Sequence, residues 1–160
     1  MLGALIIKTK ESDIDTVVSI ENESGNSQFI LGNSKKEHLY MLKDNDFAHL
    51  MLYKNEKKIG FVILSGLKNK NKSVEFRRII IKDKGKGFGR LAIKQIKHYC
   101  FELLKCHRLW LDVFETNERA RYLYQSEGFV EEGKLRDCVL VDNEYKSLIV
   151  MSMLESEYVD

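Results

Sequence analysis

The chain has no proline among its 160 residues. That removes the strongest local marker of turns and carries no functional information. Its three cysteines, Cys100, Cys106 and Cys138, are odd in number and lack metal-ligand spacing, which speaks against a zinc site. Cys100 and Cys106 flank the end of a long helix and read as small core hydrophobes, and a reducing cytoplasm suits the set. No stretch reaches the roughly 18 consecutive apolar residues of a membrane span. Met1 to Lys8 has neither a leading basic region nor a cleavage-like site, so it does not read as a secretory signal. The net charge of +2 is too small to imply nucleic-acid binding. Basic residues are spread along the chain, and the Lys-rich turn at Lys68, Lys70 and Lys72 reads as a solvated loop. There is no linker, no shift in composition and no internal repeat. With 44% apolar and 31% charged residues, positions 1–160 read as one globular domain with its own core.

Hydrophobic periodicity places the elements. Leu5 to Thr9 reads as a short strand. Ser12 or Asp13 caps a helix carrying Ile14, Val17, Val18 and Glu21. A polar loop with an apolar plug at Phe29, Ile30 and Leu31 follows. Ser34 and Glu37 stand at capping-box spacing before a second short helix. Ala48 to Tyr53 and Ile59 to Leu67 form a hairpin around Asn55 to Lys58. Val74 to Ile81 is a longer, more apolar strand. From about Phe88 to Lys105, Ala92, Ile96, Tyr99, Cys100 and Leu103 share one helical face, opposite Lys94, Lys97, Glu102 and Lys105. Arg108 to Phe114 alternates as a strand, with Leu109, Leu111 and Val113 on one side. Asn117 opens another helix and Gly128 closes it. Strands from Phe129 and over Leu148 to Leu154 finish the chain around a turn at Asp142 and Asn143. The expected architecture is α/β (α+β), a mixed central sheet of about seven strands flanked on both faces by about four helices.

Between the strand ending at Ile81 and the long helix lies Lys84-Gly85-Lys86-Gly87-Phe88-Gly89-Arg90. Strand, glycine loop and helix N-terminus form a phosphate cradle, because glycines let the backbone approach and the first-turn N–H groups point at the anion. It is not a nucleotide P-loop, which needs Lys and then Ser or Thr after the last glycine; here Gly89 precedes Arg90 and Leu91. It is not the dinucleotide fingerprint, since Gly85 and Gly87 fit but Arg90 takes the place of the third glycine. A protein-kinase loop fails in the same way, and there is no Asp-Phe-Gly. The competing reading is a turn without a ligand. Against it, alternating glycines beside Lys86 and Arg90 exceed what a turn needs, and each costs about 0.5–1 kcal/mol within regular structure.

Lys84, Gly87 and Gly89 resemble the Arg/Gln-x-x-Gly-x-Gly/Ala motif of the GNAT superfamily of acyl-CoA N-acetyltransferases, with Lys replacing Arg or Gln. A second match runs from Asn117 through Ala120, Leu123 and Tyr124 to Gly128 and Phe129. The likeness is nearest to the branch holding spermidine and ribosomal-protein alanine N-acetyltransferases, and the run Glu131 to Asp137 shares it. The resemblance implies acetyl-CoA as cosubstrate, with no metal. Ile79, Ile80 and Ile81 would hold the pantetheine arm through their backbone. The loop from Lys84 to Arg90 (Lys84, Gly85, Lys86, Gly87, Phe88, Gly89 and Arg90) would take the pyrophosphate. Asn117 and Ala120 would contact the arm, though Asn117 is equally a good N-cap. Tyr124 would protonate the departing thiolate, and its ordinary pKa of about 10 makes it a proton donor at neutral pH. Tyr124 also reads as a core residue, while Tyr122 lies on a different side and is no substitute. Glu75 is the implied general base, through water, with an ion pair to Arg77 or Arg78 as the competing reading. His38, His49, His98 and His107 show no catalytic spacing.

The resemblance implies an amine-bearing small molecule or peptide as acceptor. The branch draws its acceptor residues from segments that correspond to Glu21 to Lys36 and Arg136 to Tyr145. Glu21, Glu23 and Glu37 are candidates for a polycation, but Gly32 and Asn33 occupy the place where spermidine enzymes carry an acidic pair. A polyamine is therefore the alternative rather than the first reading. A non-catalytic acetyl-CoA-binding module is the other alternative; retention of both Tyr124 and the loop speaks against it. The resemblance is compatible with a homodimer, and nothing in the sequence decides it.

Overall fold

The computed structural model describes residues 5–23 and 32–160; the Phe29–Leu31 plug expected from the sequence lies outside them. Seven strands form one sheet in the order β1-β2-β3-β4-β5-β7-β6. They are β1 Leu5–Lys8, β2 Phe47–Lys54, β3 Lys57–Ser65, β4 Ser73–Ile81, β5 Arg108–Phe114, β6 Val130–Val141 and β7 Glu144–Leu154. Every neighbouring pair is antiparallel except β4 and β5. That one parallel pair follows from the crossover through α3, Phe88–His98. The remaining α-helices of the described residues are α1 Ile14–Glu21, α2 Lys35–Lys43 and α4 Glu118–Ser126. Both expected hairpins are present; the first turns on Asn55 and Glu56 alone, tighter than the expected Asn55 to Lys58, and the second on Asp142 and Asn143, all four with positive φ, the backbone that matches strand twist.

The two faces of the sheet carry separate cores. Val17, Ile20 and Met41 of α1 and α2 pack on Met51, Phe61, Ile63 and Ile80. Ala92, Ile93 and Ile96 of α3, with Tyr124 of α4, pack on the opposite face over Val74, Phe76, Leu109, Leu111 and Val113. A bulge in β4 decides which side chain meets which core. Leu64 pairs with Phe76 and Ile63 with Arg78, so Arg77 is an extra residue. Before it, Val74 and Phe76 face α3 and α4; after it, Ile79 and Ile81 do, and Arg78 turns to the α1–α2 side. One inserted residue inverts the alternation and bends the strand.

Three expectations change. The long helix is α only to His98 and closes in a π-turn, Tyr99–Leu103. The additional residue in that turn moves the apolar face on, so Phe101 is buried and Leu103, expected in the core, is 65% exposed. Lys97, expected on the wet face, is buried, and its Nζ donates to the Glu127 carbonyl at 2.8 Å and to Glu127 Oε2 at 3.1 Å. Neither Ser12 nor Asp13 caps α1 with its side chain. Asp13 instead accepts from the Lys10 N–H at 2.8 Å and pairs with Lys58. The Ser34–Glu37 capping box is present as expected.

Candidate active site

β4 and β5 pair only over Ser73–Glu75 and Arg108–Trp110, then separate. The separation opens a cleft of about 970 Å³ and leaves the inner edge of β4 from Arg77 onward without a strand partner. Ile79, Ile80 and Ile81 line one wall; Asp112, Val113 and Phe114 of β5 line the other. An extended, amide-bearing arm can add to such an edge as a strand would.

At one end of the cleft lies the glycine loop. The first α3 hydrogen bond runs from Leu91 N to Gly87 O, so the N–H groups of Phe88, Gly89 and Arg90 have no helical partner. Gly85 and Gly87 sit at φ +85° and +77°, and a Cβ on either would meet nothing within 4 Å. The loop therefore presents bare backbone to open space at a helix N-terminus, which suits a pyrophosphate. Gly89 serves a different purpose: a Cβ there would lie 3.4 Å from Leu123 Cδ2, so this glycine lets α3 approach α4. Lys84 and Arg119 both line this end. Burial, followed by the like charge of Arg119, lowers the Lys84 pKa. Two cations held this close create the positive potential a polyphosphate needs.

Tyr124 stands at the point of separation. It is 8% exposed and meets Phe76 and Phe129 edge-on at centroid distances of 6.0 and 5.8 Å. Among the described residues its hydroxyl has no hydrogen-bond partner, yet it is not sealed from the cleft. Burial, then the charge of Asp112, pushes its pKa up, so the phenol keeps its proton. Asp112 shares the opposite side of the sheet from α3 and α4. Burial raises its pKa, the charge of Glu75 adds to that, and Arg77 and Arg78 pull it back.

Arg78 lines the same cleft. Its Nη1 lies 3.4 Å from Glu21 Oε1. Behind Glu21 runs a buried chain: Glu21 Oε2 to His38 Nε2 at 2.6 Å, His38 Nδ1 to His49 Nε2 at 3.0 Å, and His49 Nδ1 to Thr9 Oγ1 at 2.8 Å. Burial, then the proximity of His38, lowers the His49 pKa to about 3. A set of neutral tautomers satisfies every atom: the Thr9 hydroxyl donates to His49, His49 Nε2–H to His38, and His38 Nε2–H to the Glu21 carboxylate. The chain ties the residue that follows β1, together with β2, α2 and α1, to Arg78.

The cleft gathers Ile79, Ile80, Ile81, Lys84, Gly85, Gly87, Phe88, Gly89, Arg90, Asn117, Ala120 and Tyr124, all expected from the resemblance. Asn117 also caps α4, its Oδ1 accepting from Ala120 N at 3.3 Å. Lys86 does not line the cleft and lies 3.9 Å from Asp83. Arg90 lines it but pairs with Glu127. Glu75 is not among the lining residues; its Oε2 accepts from Ser65 Oγ at 2.9 Å, and no ion pair to Arg77 or Arg78 forms. His38 and His49 are buried, and His98 and His107 make ion-pair contacts outside the cleft. Sequence reasoning missed Asp112, Arg78 and Arg119. The first sits on the polar side of an alternating strand, a signal shared with any solvated residue. Among the described residues no group of three His, Cys, Asp or Glu is placed to hold a metal, and no helix is long and apolar enough to cross a membrane.

The sequence pattern of the acetyltransferase (GNAT) family matches residues 15–129. Spermidine N(1)-acetyltransferase of Vibrio cholerae is 36% identical over 103 residues, covering 64% of this chain and 60% of that protein. A candidate ribosomal N-acetyltransferase of Bacillus subtilis is 32% identical over 100 residues, 62% of this chain and 55% of that protein. In both cases the matched segment spans less than two thirds of the relative. The crystal structure of spermidine N-acetyltransferase from Vibrio cholerae in complex with CoA and spermine superposes with a TM-score of 0.88 at 27% identity, covering 99% of each chain.

Proposed function

Because this chain belongs to the GNAT acetyltransferase family, we propose that it transfers the acetyl group of acetyl-CoA to a primary amine of a small molecule or peptide by direct attack. The observation that carries the reading is the cleft between β4 and β5, with a bare-backbone loop at one end and Tyr124 at the point of separation. The N–H groups of Phe88 to Arg90, with Lys84 and Arg119, hold the pyrophosphate. The open edge of Ile79 to Ile81 takes the pantetheine arm and directs a backbone donor at the thioester carbonyl, where negative charge develops. A nitrogen–carbon bond forms and the carbon–sulfur bond breaks. Tyr124 gives its proton to the leaving sulfur, and burial that raises the phenol raises the thiolate's basicity as well. The amine's proton leaves towards the carboxylates: Asp112 at the cleft wall, and Glu75 behind it through water.

A polyamine acceptor is the second reading, favoured by the relatives whose names specify spermidine. The test is release of free CoA thiol from acetyl-CoA on addition of an amine panel. Release above background with at least one primary amine is the expected result. Binding of acetyl-CoA with no release on any amine would leave only a binding module.

A further inference from the structure

Glu127 lies outside the cleft, in the turn that closes α4, yet it ties two parts of the site together. Its side chain is 5% exposed. Oε1 accepts from Arg90 Nη1 at 2.5 Å, Oε2 from Lys97 Nζ at 3.1 Å, and the Glu127 carbonyl from the same ammonium at 2.8 Å. Arg90 belongs to the first turn of α3, whose unpaired N–H groups form the cradle. Lys97 stands about two turns further along the same face, roughly 10 Å down the helix axis. One carboxylate therefore pins α3 at two points. Among the described residues, every hydrogen bond and ion pair that joins α3 to α4 or its closing turn runs through Glu127. What else joins them is apolar contact, such as Gly89 against Leu123, which has no preferred direction.

The other end of the link is Tyr124. The Glu127 N–H donates to the Leu123 and Tyr124 carbonyls at 3.1 Å each, and the Phe129 N–H donates to the Tyr124 carbonyl at 3.0 Å. Carboxylate and phenol thus stand on one short, hydrogen-bonded turn. Stability alone does not call for a buried carboxylate between two cations, since apolar residues of similar volume are often as good or better. Charged hydrogen bonds do fix distance and direction. The geometry points to Glu127 as a positioning residue for acetyl transfer, fixing the reach from the pyrophosphate cradle on α3 to Tyr124 on α4. This rests on the transferase reading with Tyr124 as proton donor. The cosubstrate is anchored by one helix and protonated from the other, and a slip of about 1 Å between them can lower the rate about 100-fold.

A kinetic cycle over Glu127→Gln and Tyr124→Phe, singly and together, tests this. CoA thiol release is followed at a temperature where all the variants are folded, and acetyl-CoA affinity is measured by isothermal titration. Glu127→Gln keeps the shape of the side chain and removes the charge that holds both cations. Its kcat should fall about tenfold or more while acetyl-CoA affinity changes less than about threefold, because the cradle N–H groups lie wholly within α3. In the Tyr124→Phe background the same substitution should cost less than about twofold, since the group it positions is gone. A general loosening of the fold would instead lower turnover by the same factor in both backgrounds. That result, a smaller fall in kcat, or a loss of acetyl-CoA affinity that matches it, overturns the inference and leaves the transferase reading standing. If Tyr124→Phe turns over like wild type, the proton-donor reading falls and this inference with it. If the wild-type protein releases no CoA on any amine, the transferase reading itself fails, and the inference with it. Should Glu127→Gln fail to fold, adding Lys97→Met removes the stranded ammonium, and the same comparisons decide.

Discussion

Replacing Gly87 with Ala separates strain from ligand contact. In the free protein the new methyl meets nothing within 4 Å, but it sits at φ +77°. An L-residue there costs about 1–2 kcal/mol. At roughly 2–4 °C per kcal/mol for a chain of this size, the melting temperature falls by about 2–8 °C. The same methyl fills the open space against which the pyrophosphate lies and lifts it off the N–H groups of Phe88 to Arg90. Hydrogen bonds to a charged group are worth about 1.5–3 kcal/mol each, so losing one weakens acetyl-CoA binding about 10- to 100-fold. Isothermal titration with acetyl-CoA, beside melting curves of the free variant, measures both. Gly89→Ala is the contrast: its Cβ would touch Leu123 at 3.4 Å, and its backbone is not left-handed. It should change stability slightly. A Gly87→Ala protein that melts lower yet binds acetyl-CoA as tightly as wild type would refute the cradle.

Glu127→Gln leaves Lys97 buried without its counter-charge. Breaking such a pair costs about 3 kcal/mol or more, and a melting temperature lowered by roughly 6–12 °C is expected; a change within 2 °C would show, at about 2–4 °C per kcal/mol, that the pair contributes little. Burial works to raise the Glu127 pKa, but hydrogen bonds from Arg90 and Lys97 leave it lowered. That contribution is present above the ordinary glutamate range and lost as pH falls through the folded value, so wild-type melts at pH 3 should lose stability that the Gln variant does not. His49, lowered to about 3, stays neutral in the folded state while the unfolded chain takes a proton below about 6.5. Stability is therefore full from about a unit or more above that value and declines as pH falls towards 3, by about 2 kcal/mol between pH 8 and 5. His49→Gln should flatten that slope in denaturant titrations at the two pH values.

The glycine-loop end of the candidate site was legible because its determinants are local in sequence. A glycine loop at a helix N-terminus and the run Asn117 to Phe129 act through backbone and short-range spacing, and both fold as their residues indicate. The cleft wall that carries Arg78 and Asp112 was not. Arg78 reaches the cleft because a bulge at Arg77 reverses the alternation of β4, and a bulge leaves no mark in a run reading Arg-Arg-Ile-Ile-Ile. Asp112 lines the cleft because β5 parts from β4 three residues after their pairing begins, a property of the sheet rather than of either strand. His38 and His49 carry no motif because their partners, Glu21 and Thr9, come from separate elements. The seven-stranded mixed sheet with helices on both faces was expected from periodicity and resemblance. The π-turn and the burial of Lys97 were not, since a single-period wheel has no means of shifting phase near Cys100.

The most direct test of the account is CoA thiol release by Tyr124→Phe at saturating acetyl-CoA and amine. The phenol hydroxyl has no hydrogen-bond partner among the described residues, so its removal should leave folding and acetyl-CoA affinity unchanged. Loss of a positioned proton donor should lower kcat about 100-fold or more. Turnover equal to wild type, with binding intact, would contradict the assignment of Tyr124 as the proton donor.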